Sequence, residues 1–151
     1  MPSVTKQELF DYCRSYVTER IERIRTEIST SQTSANEETK SSAGDKHETA
    51  RAMAQLEVEM NAKQLAEAEK LMVVLNKIHP SQPANVVCPG ALVKTTVGLF
   101  YMAVSIGKVA VGKSDVFIIS VDSPIGKQLY GKQKDDTVVF QGNTQKILEV
   151  L

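Results

Sequence analysis

Two carboxylates, Asp45 and Glu48, stand three residues apart on either side of Lys46-His47. Residues at this spacing share one face of a helix, so both side chains could offer oxygen ligands to a single divalent cation. The same spacing is typical of a helix start, where Asp is a good N-cap and Glu suits the third helical position. The residue types alone leave both roles open for the pair.

These carboxylates follow a polar stretch, residues 29–44, that separates two long apolar stripes. The first helix is predicted to begin at Thr5-Lys6-Gln7-Glu8, which has the form of a capping box, with Val4 and Leu9 placed as a hydrophobic staple. Its stripe is Phe10, Cys13, Val17, Ile21, Ile24 and Ile28. The second stripe is Met53, Leu56, Met60, Leu65, Ala68, Leu71, Leu75 and Ile78.

Two long helices that each carry one thin apolar stripe can be stable only by burying those stripes against each other. The sequence therefore predicts an antiparallel coiled-coil hairpin over residues 1–80, with its tip in the polar stretch. A helix of about 30 residues is about 45 Å long. Such an arm suits reaching into a partner better than enclosing a small molecule.

The composition changes near His79-Pro80-Ser81-Gln82-Pro83, because seven of the eight glycines lie beyond this point. Strands are predicted at residues 91–96, 99–106, 116–121, 137–140 and 146–151. A hairpin loop explains Gly107–Lys113, whose spacing does not fit a phosphate-binding loop. Ser123 as N-cap, Pro124 as first helical residue and Gly131 as stop predict one short helix. Residues 81–151 are thus expected to form a small α+β domain, a short helix on an antiparallel sheet.

Composition and charge exclude several functional classes. The 18 basic residues balance the 18 acidic ones, and neither half is the basic block expected of a sequence-specific DNA-binding protein. The two cysteines, Cys13 and Cys88, have no metal-ligand or disulfide spacing and fit buried thiols in a reducing cytosol. No apolar run is long enough to span a bilayer, so a cytoplasmic location is expected.

Two motifs resemble those of a known family. The run Asp122-Ser123-Pro124-Ile125-Gly126-Lys127-Gln128-Leu129-Tyr130-Gly131-Lys132, followed by Asp135-Asp136-Thr137-Val138, is similar to the C-terminal signature of the GreA/GreB transcript-cleavage factors of bacteria. Gly44-Asp45-Lys46-His47-Glu48-Thr49-Ala50 resembles the acidic hairpin tip of that family. The order of parts, an arm, a linker and then a compact domain, also matches over nearly the whole chain.

The resemblance implies a fold, a partner and a mechanism. The C-terminal domain would be FKBP-like and would dock on RNA polymerase at its secondary channel. The residues of the signature assigned to this docking are Ser123, Pro124, Ile125, Gly126, Lys127, Leu129, Gly131 and Lys132. Asp45 and Glu48 would reach the polymerase active site, help hold a second Mg²⁺ there, and so promote cleavage of backtracked RNA near its 3′ end. The chain would be an accessory factor with no catalytic centre of its own, and free protein would hold no Mg²⁺.

Two alternatives remain open at this stage. Thr49 and Ala52 stand where the family motif has Asn and Tyr, which leaves room for a regulator that docks in the same channel without promoting cleavage. The FKBP-like resemblance also admits a prolyl isomerase or chaperone. That chemistry uses a pocket dense in aromatic residues, and this half has only Phe100, Tyr101, Phe117, Tyr130 and Phe140.

Overall fold

The computed structural model describes the backbone of residues 4–38 and 45–151, and the side chains of residues 4–30, 33 and 48–151. Two long helices come first, α1 (Lys6–Glu38) and α2 (Asp45–Asn76). The remaining elements are β1 (Leu92–Thr95), β2 (Leu99–Met102), β3 (Gly107–Val111), β4 (Ser114–Ile119), α3 (Pro124–Leu129), β5 (Thr137–Phe140) and β6 (Asn143–Val150). The α+β class, with a helical hairpin ahead of a sheet domain, is confirmed.

The contacts divide the chain into two compact units. One unit groups Met1–Ser15 with Val73–Leu151, and the other is Tyr16–Met72. The first turns of α1 and the last turn of α2 therefore belong with the sheet. The predicted domain boundary, with an arm over residues 1–80 and a domain over residues 81–151, stays a prediction. Within the described residues, no helix is long and apolar enough to cross a membrane.

The start of α1 follows the predicted capping pattern. The Thr5 hydroxyl oxygen accepts a hydrogen bond from the Glu8 backbone N–H at 3.1 Å and donates one to Glu8 Oε1 at 3.2 Å. Val4 and Leu9, the predicted staple pair, are both buried. These contacts satisfy one of the free N–H groups of the first turn and fix where the helix begins.

The apolar stripe of α1 is confirmed, since Phe10, Cys13, Val17, Ile21 and Ile24 are buried and Ile28 is half-buried. The stripe of α2 was predicted wrongly in its first half: Met53, Leu56 and Met60 are 62%, 50% and 56% exposed. The side chains of α2 that are buried or half-buried at alternating spacings of four and three are Ala54, Val58, Asn61, Leu65, Ala68, Met72 and Leu75.

The spacing explains the error in α2. Residues that alternate at spacings of four and three stay on the side of α2 that faces the partner helix, which we call the seam. The predicted stripe departed from this spacing because it was chosen by the size of the apolar side chains. The hairpin thus half-buries small Ala54, buries polar Asn61, and leaves two methionines and a leucine exposed. An exposed ion pair, Arg25 Nη2 to Glu69 Oε1 at 3.5 Å, also links the two helices.

This register makes a prediction about two neighbouring side chains of α2. Met60→Asp should change the stability of the arm by less than about 0.5 kcal/mol, because Met60 is exposed. Val58→Asp should cost about 2 kcal/mol, because a charge would enter the half-buried seam. Urea unfolding followed by the helical circular dichroism signal measures both. Equal losses for the two variants would contradict the register.

The six strands form one sheet in the order β3-β4-β2-β1-β6-β5. The sheet is mixed, because β2 pairs with β4 in parallel while every other neighbouring pair is antiparallel. The prediction of a purely antiparallel sheet was therefore wrong. Residues Gly107–Val111 form strand β3 along β4, where a loop was expected.

Both faces of this sheet carry buried side chains. One face carries the cluster that includes Phe100, Met102, Ile119, Leu129 and Ile147, with Leu129 contributed by α3. On the other face Tyr101 is fully buried, in the same unit as the first turns of α1. Burial, with Cys13 and Asp11 of α1 nearby, raises the pKa of Tyr101. Alternation along β2 thus sends Phe100 and Met102 to one face and Tyr101 to the other.

Candidate functional site

The short helix α3 begins as its sequence predicts. The Ser123 hydroxyl accepts a hydrogen bond from the Gly126 backbone N–H at 3.0 Å and donates one to the Ser120 carbonyl at 2.7 Å. Pro124 occupies the first turn, where its lack of an N–H costs nothing. Ser123 thus connects the end of β4 to the start of α3 through one side chain.

Gly126 lies where only a glycine fits. A Cβ at this position would stand 2.0 Å from the Ser120 carbonyl oxygen and 2.7 Å from Ser123 Oγ. The first of these atoms belongs to the backbone and cannot turn aside. The glycine therefore allows α3 to pack directly against the chain that leaves β4.

A methyl group at this position should be strongly destabilising. Gly126→Ala should lower the free energy of unfolding by about 3 kcal/mol, at the upper end of what overpacking costs. The matched control is Gly98→Ala, where the added Cβ would meet only Phe117 Cε2 at 3.8 Å, an ordinary contact. Thermal unfolding of the two variants measures the difference. Indistinguishable melting temperatures would refute the close approach.

The end of α3 is tied to the loop before β1. The Tyr130 N–H donates to the Gly126 carbonyl at 2.9 Å and closes the helix. Gly131, at a φ of +80°, donates its N–H to the Val87 carbonyl, and the Val87 N–H donates to the Lys132 carbonyl at 2.8 Å. These bonds set the direction of the chain after α3 and bring the exposed Lys132 next to it.

The eight residues predicted to bind polymerase separate by exposure. Gly126 and Leu129 are buried, so they act through the position and packing of α3. Ser123 and Ile125 are half-buried. The exposed members are Pro124, Lys127, Gly131 and Lys132. A partner that docks on α3 would therefore meet mainly a proline and two lysines.

Sequence reasoning missed Tyr130 as a surface residue. Tyr130 is 55% exposed and lines a hollow of about 330 Å³ together with Pro89, Val121, Asp122 and Lys127. Tyrosines in such hollows often carry much of the binding energy at protein interfaces. The sequence signal that could have indicated an exposed Tyr130 is its position at the end of α3, just before Gly131.

The acidic turn after α3 also has a structural role. Asp135 has a φ of +74°, and its N–H donates to the Ile147 carbonyl. Asp136 Oδ2 accepts from the Gln133 N–H at 2.8 Å. The ion pair between Asp135 and Lys146, at 3.5 Å, is largely exposed and adds little stability. The turn thus leads the chain into β5.

The predicted metal ligands lie in the helical hairpin. Helix α2 begins at Asp45, and Glu48 lies in its first turn with an exposed side chain. Gly44 lies outside the described residues, and the side chains of Asp45 and His47 lie outside the described side chains. In the part of the chain that is described, no group of three or more His, Cys, Asp or Glu side chains could hold a metal ion. Asp45 and Glu48 therefore stay a prediction as metal ligands.

The clearest pKa shifts belong to groups outside both predicted sites. Burial raises the pKa of the Cys13 thiol to about 12, and burial together with nearby Cys13 and Asp11 raises that of Tyr101. Burial lowers the pKa of Lys6, whose ammonium donates to the Gln82 carbonyl. Tyr101 is the one described residue with a fully buried side-chain polar atom that lacks a hydrogen-bond partner. All of these groups belong to the unit that combines the first turns of α1 with the sheet.

The raised pKa of Cys13 predicts selective thiol chemistry. Folding favours the protonated thiol, so the stability that Cys13 contributes is complete below pH 9 and is lost as the pH rises toward 12. At pH 8, iodoacetamide should modify the half-buried Cys88 and leave Cys13 intact until the protein unfolds. Mass spectrometry of peptides after labelling, with and without urea, tests this. Early labelling of Cys13 in the folded chain would contradict its burial.

The C-terminal part of the chain is similar to a known family. Residues 104–151, which comprise β3, β4, α3, β5 and β6, match the family model for the C-terminal domain of transcription elongation factors. The match to the GreA/GreB family covers these 48 of the 151 residues. A search of curated proteins found no match.

Proposed function

We propose that this protein binds RNA polymerase as an elongation factor and uses its helical hairpin to stimulate cleavage of backtracked RNA. The observation that carries the proposal is the GreA/GreB C-terminal domain at residues 104–151, preceded by a helical hairpin whose second helix begins at Asp45. The protein would serve as an accessory to the hydrolytic activity of the polymerase.

The docking role falls to the surface of α3. Pro124, Lys127 and Lys132 are exposed, and the buried Leu129 and Gly126 fix the helix that presents them. Lys127 on α3 and Lys132 just after it suit an acidic patch on a partner, since complementary charges speed association and fix orientation. Tyr130 and its hollow supply an adjacent anchor.

The hairpin tip supplies the chemical role. Carboxylate oxygens are the ligands that Mg²⁺ prefers, so Asp45 and the exposed Glu48 fit this ion. Two carboxylates fill only part of an octahedral site, so the polymerase and water would provide the other ligands. Bound there, the ion would activate water for attack on a phosphodiester. The arm would contribute the two carboxylates by reaching the place where RNA is held.

A cleavage assay on backtracked complexes of the cognate polymerase tests the proposal. Wild-type protein should shorten the RNA 3′ end faster than polymerase alone, and it should bind polymerase in a pull-down. Lys127→Glu/Lys132→Glu should lose both activities, because it reverses the charge of α3 and of the segment that follows it. Thr18→Glu, on the exposed face of α1, is the matched control and should retain both.

The second candidate is a channel regulator that does not promote cleavage, favoured by Thr49 and Ala52 at positions where the family motif has Asn and Tyr. Binding without faster cleavage would select this candidate. Absence of binding by wild-type protein would overturn both functions.

A further inference from the structure

All three phenylalanines of the sheet domain converge on one cavity. Phe100 and Phe117 stack with ring centroids 5.2 Å apart, and Phe140 at the end of β5 forms another wall. The cavity measures about 330 Å³. The other lining residues are Val97, Ile119, Ile125, Gln141, Asn143 and Gln145. We refer to this space as the phenylalanine cavity.

One polar group in the phenylalanine cavity is buried, and its orientation can be deduced. Thr95 Oγ1 accepts hydrogen bonds from the backbone N–H groups of Val97 and Gly98, at 3.1 and 3.3 Å, which occupy its two lone pairs. Its hydroxyl must then donate, and of the two acceptors within reach Gln145 Oε1, at 2.7 Å, is nearer than the Gly98 carbonyl, at 3.2 Å. The side-chain amide of Gln145 thus turns its oxygen toward Thr95.

The nitrogen of the same amide faces the phenylalanine cavity. Gln145 is only 4% exposed, and its Nε2 makes no hydrogen bond to any described residue. Among the described residues, only the Tyr101 hydroxyl is fully buried without a partner, so Nε2 keeps some accessible surface. Since Gln145 lines the cavity, that surface opens into it. An acceptor oxygen on a molecule in the cavity could therefore take this donor in place of solvent.

We propose that the phenylalanine cavity binds a neutral, mostly apolar small molecule whose carbonyl oxygen accepts a hydrogen bond from Gln145 Nε2. The volume lies at the lower end of the range for small-molecule sites, and apolar walls with one fixed polar group are typical of them. A peptide backbone fits less well, because it brings an N–H donor with each carbonyl. Within the described lining, the one buried polar side chain already uses its acceptor oxygen on Thr95.

A matched pair of probes isolates the hydrogen bond. Acetophenone and ethylbenzene have nearly the same shape, but only acetophenone carries a carbonyl oxygen. Titrated into the ¹⁵N-labelled full-length protein, acetophenone should shift the side-chain NH₂ signals of Gln145 in a saturable way. Its affinity should exceed that of ethylbenzene by about threefold to tenfold, which is the worth of one net hydrogen bond.

Two variants separate the donor from the walls. Gln145→Met should bring the affinity ratio of the two probes close to one. Phe140→Ala should weaken both probes about tenfold, since it removes an aromatic wall. Val139→Ala, at an exposed neighbouring position on β5 outside the cavity lining, should change neither affinity.

Equal binding of the two probes by wild-type protein, or no binding of acetophenone, would overturn the proposal. Selective binding of N-acetyl-leucine methylamide without acetophenone would instead identify a peptide segment as the occupant and equally overturn it. Should Gln145→Met fail to fold, the wild-type probe ratio and the Gln145 NH₂ shift still decide. None of these readouts depends on polymerase, so a failure here is distinct from a failure of the proposed function.

Discussion

Removing the charge of both tip carboxylates, in Asp45→Asn/Glu48→Gln, should reduce stimulated cleavage of backtracked RNA about a hundredfold or more. The amides keep the size of the side chains but lose the anionic oxygens that Mg²⁺ prefers. Loss of electrostatic stabilisation at a reacting phosphate commonly costs this much. Affinity for polymerase should change little, because docking is assigned to α3.

The comparison of single variants separates this role from helix capping. Asn is about as good an N-cap as Asp, so Asp45→Asn should leave the stability of α2 nearly unchanged whether or not the residue caps. Glu57→Gln, an exposed carboxylate three turns further along α2, is the matched control and should retain full cleavage. Cleavage at the wild-type rate in the double variant would exclude metal delivery by these residues.

A buried charge in the hairpin seam should have the largest effect on stability. Ile24 is 5% exposed in the Tyr16–Met72 unit, so Ile24→Asp would place an unpaired carboxylate among apolar side chains. The expected cost is about 3–5 kcal/mol. Much of the helical circular dichroism should be lost, while slow amide exchange at β1, β2 and β4 should persist, because those strands lie in the other unit.

Thr18→Asp introduces the same charge at an exposed position of α1 and should leave both signals unchanged. Hydrogen exchange resolved by residue distinguishes the two units. If Ile24→Asp also removes the protection of the sheet, the chain unfolds as one cooperative body.

Local signals made several elements predictable. The helix start at Thr5 and the helix α3 with Ser123, Pro124 and Gly131 are coded by neighbours within a few residues, and each forms as expected. The stripe of α1 is similarly local, because every member lies one turn from the next. The resemblance that pointed to GreA/GreB also rests on a contiguous run, residues 122–138, inside the matched segment.

Contacts between distant residues were less predictable. Strand β3 begins at Gly107, with a φ of +103°, and exposes both Gly107 and Lys108, so its sequence lacks the pattern of a half-buried strand. It forms because β4 offers an edge for pairing. Because β3 lies between β2 and β4 in the sequence, β4 can pair with β2 in parallel, and no local signal in the sequence predicts this pairing.

The phenylalanine cavity also could not be predicted from the sequence. Phe100, Phe117 and Phe140 are widely separated along the chain, and counting them suggested that aromatic residues were too few for a pocket. The fold gathers all three around one cavity that Gln145 also lines. The number of aromatic residues therefore says little about a site until strand order is known.

Asn61 is buried at 8% exposure in the seam between α1 and α2, among otherwise apolar positions. A polar side chain in such a seam lowers stability but penalises every alignment that would press it against an apolar neighbour. Sliding one helix by a turn would keep most apolar contacts and still displace Asn61 from its place. We therefore expect Asn61 to favour a single alignment of α1 with α2 at some expense of stability.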